Sequence, residues 1–459
     1  MRRLPLSLQY PVISRFVECA DDGIRRNRNL ILLDERPSLE QKIARHIIYD
    51  LTRLTTRFLT EAPNGIDRVD LRLAKYFAFA RTTEMSALMW APIGPRLYSA
   101  SIAQEVVQAI EEHWREPEQA HEDPLYERVV QRLIRPCVGE GPIEGTPGRG
   151  RKAFITELRK YLLRWGRSAR RTAPPQAAYL NVSHFPIEYA AHSRWLYLRR
   201  DILCAFFIHD LLPIDMPQYF WRKEPGRHAR RLDNIERLGG RAIVASNSVA
   251  ERLTEYFARK NYRPPILKAT LPVSSVFYAP RQLDRRLSSR PYFIVCGTIE
   301  PRKNHVFLLN LWRELAKQSS EIPALVVVGK RGWNSETAID MLERSPSIAG
   351  IVVEVSGLTT PGLKRLMDNA VALLAPSIAE GFGLPLAEAA AAGLPVIASQ
   401  IDPFREFPAA NITLIDPLDG QGWLRAIRER TLNSRSNRRI AAPAGDRFER
   451  EIEHFLNTS

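Results

Sequence analysis

The sequence predicts an α/β protein of two domains, each built on a doubly wound parallel sheet. Short apolar, β-rich runs alternate with amphipathic helical segments, the pattern of strands buried on both faces by crossover helices. A chain of 459 residues also exceeds what one hydrophobic core ordinarily serves. Finally, the polar, arginine-rich stretch "APRQLDRRLSSRPYF" at 279–293 separates two blocks of the alternation and reads as a domain linker.

In the first block, "IIYDLTRL" (47–54) reads as a strand, "TEAPNGID" as a loop and "RVDLRLAKYFAFA" (68–80) as an amphipathic helix, which together make a βα unit. Residues 101–175 are helical and charged, interrupted by the glycine- and proline-rich "GEGPIEGTPGRGRK", a loop or insertion. "ILCAFFIHD" (202–210) and "RAIVAS" (241–246) then read as buried parallel strands. The second block is cleaner. "YFIVCGTI", "ALVVVGK", "IVVEVSG", "VALLAPS" and "PVIAS" are five strands, separated by helical segments such as "HVFLLNLWRELAKQ" and "TPGLKRLMDNA". In such sheets ligands bind beyond the carboxyl ends of the strands. Those positions hold Gly297, Thr298, Arg302 and Lys303, then Gly329, Lys330 and Arg331, then Glu380, Gly381 and Gly383.

Composition narrows the partners. Hydrophobic residues make up 45% and charged residues 25%, ordinary for a globular chain. Lys and Arg total 66 against 51 acidic residues, a net charge of +15, which favours anionic partners: nucleotides, nucleic acid or acidic lipid head groups. Cys19, Cys137, Cys204 and Cys296 lie far apart; this spacing gives neither a zinc motif nor a disulfide framework and fits a reducing compartment. No apolar run reaches the length of a membrane span, and prolines break the basic N-terminus. The expectation is a soluble or peripheral protein without a signal peptide.

Residues 375–399, "APSIAEGFGLPLAEAAAAGLPVIAS", place two glutamates around a helix start. Pro385 suits the first turn of a helix, Gly393 and Pro395 end it, and Glu388 is expected on that first turn with Glu380 in the loop above. The helix N-terminus is an anion site, and the glycines admit a ligand to the backbone. Carboxylates do not bind phosphate but accept hydrogen bonds from hydroxyls. A phosphate cradle flanked by two hydroxyl acceptors suits a nucleotide sugar. Arg302 and Lys303 would neutralise its diphosphate without a metal. The bland alternative is a glutamate that complements the helix dipole beside a solvated basic turn.

"GTIEPRKNH", "VVVGKRGW" and "PSIAEGFGLPLAEAAAAGLPVIAS" together resemble the family 4 retaining glycosyltransferases of the GT-B fold, whose E-x7-E signature Glu380 and Glu388 match. The pieces "DLTRL", "NGIDRVDLRLA" and "IHDLLPIDMP" look like those of bacterial members that build capsule, exopolysaccharide or O-antigen, often with mannose. The resemblance implies α/β GT-B architecture, two Rossmann-like domains facing a central cleft. Residues 1–285 would bind acceptor and carry the insertion near 101–175, residues 286–440 would bind the nucleotide sugar, and 441–459 would form a helix crossing back. It further implies a retaining hexosyltransferase moving mannose from GDP-mannose to a hydroxyl of a growing cell-surface glycan. UDP-glucose is the alternative donor. The rival of another class is a non-catalytic binder of nucleic acid or anionic surfaces, for which no RNP-like, zinc-finger or helix-turn-helix pattern is present.

Carried over residue by residue, Glu388 would accept from ribose and Glu380 would approach the hexose. Gly381, Phe382, Gly383 and Leu384 would cradle sugar and phosphate, with Gly297, Thr298 and Lys330 nearby, and Arg302 and Lys303 would hold the diphosphate. Gly65 resembles the glycine loop that closes over the phosphates, His209 the histidine beside the donor sugar, and Asp67, Arg68 and Asp210 would face the acceptor. No metal or cofactor beyond the nucleotide sugar is implied. Partners would be a lipid-linked or oligosaccharide acceptor and an anionic membrane surface, not nucleic acid, at the cytoplasmic face of a bacterial inner membrane. Two features depart from the family pattern: "LKATLPVSSVFY" (267–278) lacks the glycine expected before the linker, and 101–175 has no counterpart.

Overall fold

The computed structural model describes residues 45–57, 63–79, 84–91, 94–116, 123–137, 139–145, 166–288, 290–319, 321–408, 411–432 and 445–458. Successive residues of a strand face opposite sides of its sheet, and this divides the apolar residues among four cores, two per sheet. Ile47 and Tyr49 enter one core while Ile48 enters its opposite; Tyr292 and Ile294 face away from Phe293 and Val295 in the same manner.

The strands are β1 (Ile47–Asp50), β2 (Met85–Ala91), β3 (Gly94–Ser99), β4 (Ile143–Glu144), β5 (Arg167–Ser168), β6 (Ala178–Asn181), β7 (Leu203–Phe207), β8 (Arg241–Val244) and β9 (Ile266–Lys268). They continue as β10 (Tyr292–Cys296), β11 (Ala324–Val328), β12 (Val352–Ser356), β13 (Leu373–Ala375), β14 (Val396–Ser399) and β15 (Ile412–Ile415). The first sheet runs β5-β3-β2-β1-β6-β7-β8-β9 and the second β15-β14-β13-β10-β11-β12-β4. All pairings are parallel except β2–β3 and β3–β5. In the second sheet the order reverses between β10 and β13, so the loops leaving these two strands flank the crevice at the switch point.

Several expectations change. The strand expected over 47–54 stops at Asp50, because Asp50 Oδ1 accepts from Thr52 N at 3.0 Å and turns the chain into the helix Thr52–Arg57. Part of the stretch 101–175, expected in the first domain, belongs to the second. Helix Pro124–Ile134 buries Leu125, Tyr126, Val129, Val130 and Leu133 with Tyr292 and Ile294, and β4 pairs with β12 at Ile143↔Val355. The linker expected at 279–293 also packs on the second domain: Phe277 and Leu287 join its core, and Gln282 N and Asp284 N are held by Asp368 and Asn369. The crossing therefore lies nearer 269–273, where Ala269 still packs in the first core and Val273 already packs against the second.

The helix Arg447–Asn457 returns to the first sheet, burying Phe448, Ile452 and Leu456 with Ile47 and Leu73. Arg45 N donates to Asn457 Oδ1 at 2.6 Å at the far end of that helix. The basic clusters at 25–29 and 149–152, with Arg164, lie outside the described residues.

Candidate active site

The loop after β10 and the loop after β13 are joined by main chain: Ile378 N donates to Arg302 O at 2.8 Å. This places Arg302 and Lys303 against Glu380. Arg302 Nη1 donates to Glu380 Oε2 at 2.9 Å and to Ala379 O at 3.1 Å, and its Nη2 lies 2.7 Å from Glu300 Oε1. Lys303 Nζ bonds Glu380 Oε1, which also accepts from Ser377 Oγ at 2.7 Å. Burial opposes ionisation of Glu380, but Lys303 and Arg302 outweigh it and hold the carboxyl down at about 2. Without ligand, both cations expected on the diphosphate are thus neutralised within the protein. Glu300, not anticipated as a site residue, is 3% exposed and raised by burial against the pull of Arg302, and its Oε2 has no hydrogen-bond partner among the described residues.

The helix Leu384–Ala391 starts from Gly383, whose φ of +98° and close approach to Phe404 exclude a side chain there; a Cβ would sit 2.4 Å from that ring. Pro385 occupies the first turn as expected, and Gly393 follows the helix with φ +67°. Glu388 lies one turn further in than expected, since no acidic residue occupies the first turn. It is not positioned to complement the free N–H groups of the helix start. Its carboxylate is 5% exposed and meets Arg68 Nη1 from the other domain at 3.6 Å. Burial pushes it up to about 7, with Arg68 opposing and Glu116 adding to the rise.

The first domain reaches the loop before this helix from the end of β7. Gly381 lies so near β7 that a Cβ would be 2.3 Å from His209 O and 3.0 Å from Asp210 Cβ. Ser246 Oγ donates to Gly381 O at 2.7 Å, and Glu406 of the second domain accepts from Asn247 N and Ser248 N at 2.8 and 2.9 Å, so the domains are stitched on both sides of the loop. His209 stacks on Phe207 with centroids 4.7 Å apart and donates Nε2–H to Val182 O at 2.8 Å. Burial lowers it to about 4, so it is a neutral imidazole with that tautomer fixed. Asp210 accepts from Leu212 N at 3.1 Å and is raised by burial against the opposing charge of Arg302.

Gly65 opens the helix Gly65–Phe79 and lies beside Leu384, with 3.7 Å from an added Cβ to Leu384 Cδ2. Arg68, expected toward the acceptor, turns to Glu388 instead. Asp67 is buried and committed locally, accepting from Arg53 Nε at 3.0 Å and Asn64 N at 3.1 Å. Gly297 ends β10 with φ +139°, and Thr298 packs against Gly332, where a Cβ would be 2.6 Å from Thr298 Cγ2. Lys330 is exposed and makes no side-chain hydrogen bond or ion pair among the described residues, whereas neighbouring Arg331 is held by Glu354 and Glu343. Phe382 packs on Phe407, centroids 5.3 Å apart. Beside Glu388 the domains enclose a cleft of about 1000 Å³ whose walls include Arg68, Trp114, Glu116, Thr360 and Leu384. Ser377 and Glu300 stand inside motifs legible in the sequence. Glu116, which accepts from Thr360 N at 2.8 Å, comes from the stretch without a family counterpart and had no signal.

Residues 282–445 match the family model described as glycosyl transferases group 1. This part of the chain belongs to the group 1 glycosyltransferases. Curated relatives of the chain include the serotype-specific mannosyltransferase WbdA of Escherichia coli, 28% identical over 274 residues. That match covers 49% of this chain and 32% of WbdA. The O-antigen chain mannosyltransferase RfbU of Salmonella typhimurium is 24% identical over 267 residues, covering 53% of this chain and 70% of that protein. The chain thus spans about a third of the length of the WbdA relatives it matches. Among solved structures, Anabaena HepE in complex with UDP-glucose aligns at a TM-score of 0.53 and 13% identity, covering 90% of this chain and 97% of that one. Sucrose-phosphate synthase of Thermosynechococcus elongatus aligns at 0.53 and 16%, covering 90% and 94%. At such identities these neighbours establish the fold, which is GT-B: two Rossmann-like domains facing one cleft.

Proposed function

We propose that the chain transfers a mannosyl group from GDP-mannose to a hydroxyl of a growing cell-surface glycan, with retention of anomeric configuration. The observation that carries this reading is the pair of dissimilar carboxylates around one helix start: Glu380 ionised among cations, Glu388 buried and turned to the cleft. Glu388 takes the ribose hydroxyls. The diphosphate competes with Glu380 for Arg302 and Lys303, and as they turn to phosphate, Glu380 is released to the hydroxyls of the hexose. In the transfer, the bond from the sugar's anomeric carbon to the diphosphate oxygen breaks and a bond to the acceptor oxygen forms on the same face. The acceptor's proton passes to the departing phosphate, whose charge the two cations stabilise. His209, a neutral imidazole, contacts the sugar without supplying a charge. Mannose as the sugar is supported by the curated mannosyltransferases among the relatives.

The test is a donor panel of GDP-mannose, UDP-glucose and UDP-N-acetylglucosamine with the purified full chain and a mannoside acceptor, following product anomer by NMR. The expected product is an α-mannoside formed from GDP-mannose and no other donor, with activity surviving EDTA. Transfer from UDP-glucose alone overturns the donor, a β-linked product overturns retention, and restoration of EDTA-lost activity by Mn²⁺ overturns metal-free handling of the phosphates.

A further inference from the structure

Among the described residues, the wall of the cleft carries four carboxylates: Glu111, Glu112, Glu116 and Glu388. Three of them meet a cation. Glu111 pairs with Lys75, Glu112 with Arg115 at 3.2 Å, and Glu388 with Arg68 at 3.6 Å. Glu116 has no cation partner among the described residues. Its Oε2 accepts from Thr360 N at 2.8 Å, and its Oε1 makes no hydrogen bond among them.

This carboxylate comes to the cleft on a crossing between the domains. The helix Ala100–His113 of the first domain ends at Trp114, whose N donates to Ile110 O at 3.0 Å, and Glu116 follows two residues on. On the other side Asp123, the N-cap of the helix Pro124–Ile134, accepts from Thr359 N at 2.9 Å and Thr359 Oγ1 at 2.8 Å. Both carboxylates thus reach the start of the helix Thr360–Asn369. That helix already has its cap, because Thr359 Oγ1 accepts from Gly362 N at 3.0 Å. The bond from Thr360 N therefore orients the Glu116 carboxylate without consuming it: of about four acceptor sites on an ionised carboxylate, about three stay open.

The charge of Glu116 also acts on Glu388, so the two carboxylates lie within electrostatic reach of each other in one cavity. With ribose hydroxyls on Glu388, the base attached to that ribose falls in the same cavity. An ionised carboxylate with adjacent open oxygens is matched by two adjacent N–H donors. Guanine presents these on its Watson–Crick edge, N1–H beside the 2-amino group. Uracil presents one N–H between two carbonyl oxygens, which a carboxylate repels, and adenine and cytosine place an acceptor nitrogen at that point.

We propose that Glu116 reads the base of the donor, accepting from N1–H and the 2-amino group of a guanine nucleotide and thereby rejecting uracil. The assignment rests on the reading of Glu388 as the ribose acceptor and names the nucleotide class of that same site; it does not depend on which sugar the nucleotide carries. The base is then selected by a carboxylate from the stretch without a family counterpart, across the cleft from the helix that bears Glu388.

The test is isothermal titration calorimetry of the full chain with GDP, IDP and UDP at pH 8, above the value of about 7 to which Glu388 is raised. IDP differs from GDP only in lacking the 2-amino group. The wild type should bind GDP about 10- to 150-fold more tightly than IDP, the worth of one charge-assisted hydrogen bond, and UDP more weakly than either. Glu116→Ala should abolish the difference between GDP and IDP while leaving UDP unchanged or tighter. Glu116→Gln keeps an oxygen for Thr360 N and lacks the charge; it should lower GDP affinity and hold or raise that for UDP. A merely structural role would lower all three nucleotides together in both variants, and that result overturns the proposal. So does equal wild-type affinity for GDP and IDP. Transfer from GDP-mannose with the GDP-to-IDP ratio unchanged in Glu116→Ala overturns the base assignment alone. Selective loss of GDP in the variants, with no transfer from GDP-mannose in the donor panel, upholds the base assignment and overturns the mannosyl reading.

Discussion

Glu380 and Glu388 stand on either side of one helix start, both nearly sealed from water, and they shift in opposite directions. Glu380 is surrounded by Lys303, Arg302 and Ser377 and is held at about 2, while Glu388 has one cation at 3.6 Å and rises to about 7. Burial is the same penalty for both; the difference is what surrounds the charge. The one has both of its oxygens paired within the protein. The other is left short of partners, in a wall of the cleft, which is the condition of a group awaiting a ligand's hydroxyls.

The largest expected effect is at Glu380. With its folded-state value below the unfolded one, it contributes stability above about pH 4 that is lost as pH falls through 2. Glu380→Gln leaves half-buried Lys303 without its carboxylate and Arg302 with Glu300 alone, and at pH 7 it should cost about 3–5 kcal/mol of stability, the range for removing one partner of a buried pair. Turnover should fall by about a hundredfold or more. Affinity for GDP should hold or rise, because the carboxylate no longer competes with phosphate for Lys303 and Arg302. Calorimetric melting with GDP titration checks this, and a parallel loss of GDP affinity would show that Glu380 binds the nucleotide after all.

Glu388 should give the opposite thermodynamics. Its folded-state value lies above the unfolded one, so its contribution to stability is fully present below about pH 4 and is lost as pH rises through 7. Glu388→Gln should therefore leave melting nearly unchanged at pH 4 and raise it at pH 8. GDP binding should weaken by about 10- to 150-fold, a charge-assisted hydrogen bond of about 1.5–3 kcal/mol. In the wild type GDP affinity should fall below pH 7, as protonated Glu388 loses the charge that strengthens its hydrogen bonds to the ribose. Glu388→Gln should remove that inflection, and Arg68→Gln should move it upward. An inflection that survives in Glu388→Gln belongs to the nucleotide's own phosphate.

The second domain was more legible in the sequence than the first, for a physical reason. Its five recognised strands are buried on both faces and read as unbroken apolar runs, and its site lies in two short loops whose motifs are local. β2 and β3 pair antiparallel, and Pro95 stands within β3, which masks the strand signal. β6 ends in Asn181, which reads as turn chemistry, yet its Nδ2 donates to buried Asp50 Oδ2 at 3.0 Å beside the Tyr179 hydroxyl. Contacts between distant segments were illegible. Arg68 on Glu388, Glu116 on Thr360 and Ile143 on Val355 are set by domain packing, and no spacing rule reaches across a cleft.

The smallest of the effects probes whether the contrast depends on the domains touching. Gly381 admits no Cβ, because the obstacle at 2.3 Å is the main-chain carbonyl of His209, while a Cβ at Gly65 meets only the end of the Leu384 side chain at 3.7 Å, an ordinary contact. Gly381→Ala should therefore push the loop off β7 and strain its bond from Ser246, at about 1–3 kcal/mol as for overpacking. The Glu380 lattice lies wholly within the second domain and should survive this. Glu388 should not keep its value: water admitted beside it relieves the burial that raises its carboxyl, which outweighs the loss of Arg68's opposing charge, and the pH inflection of GDP binding moves down from about 7. Gly65→Ala, by the same measurement, should leave the inflection in place. If the two variants behave alike, the raised value of Glu388 arises within its own domain and the facing domain plays no part in it.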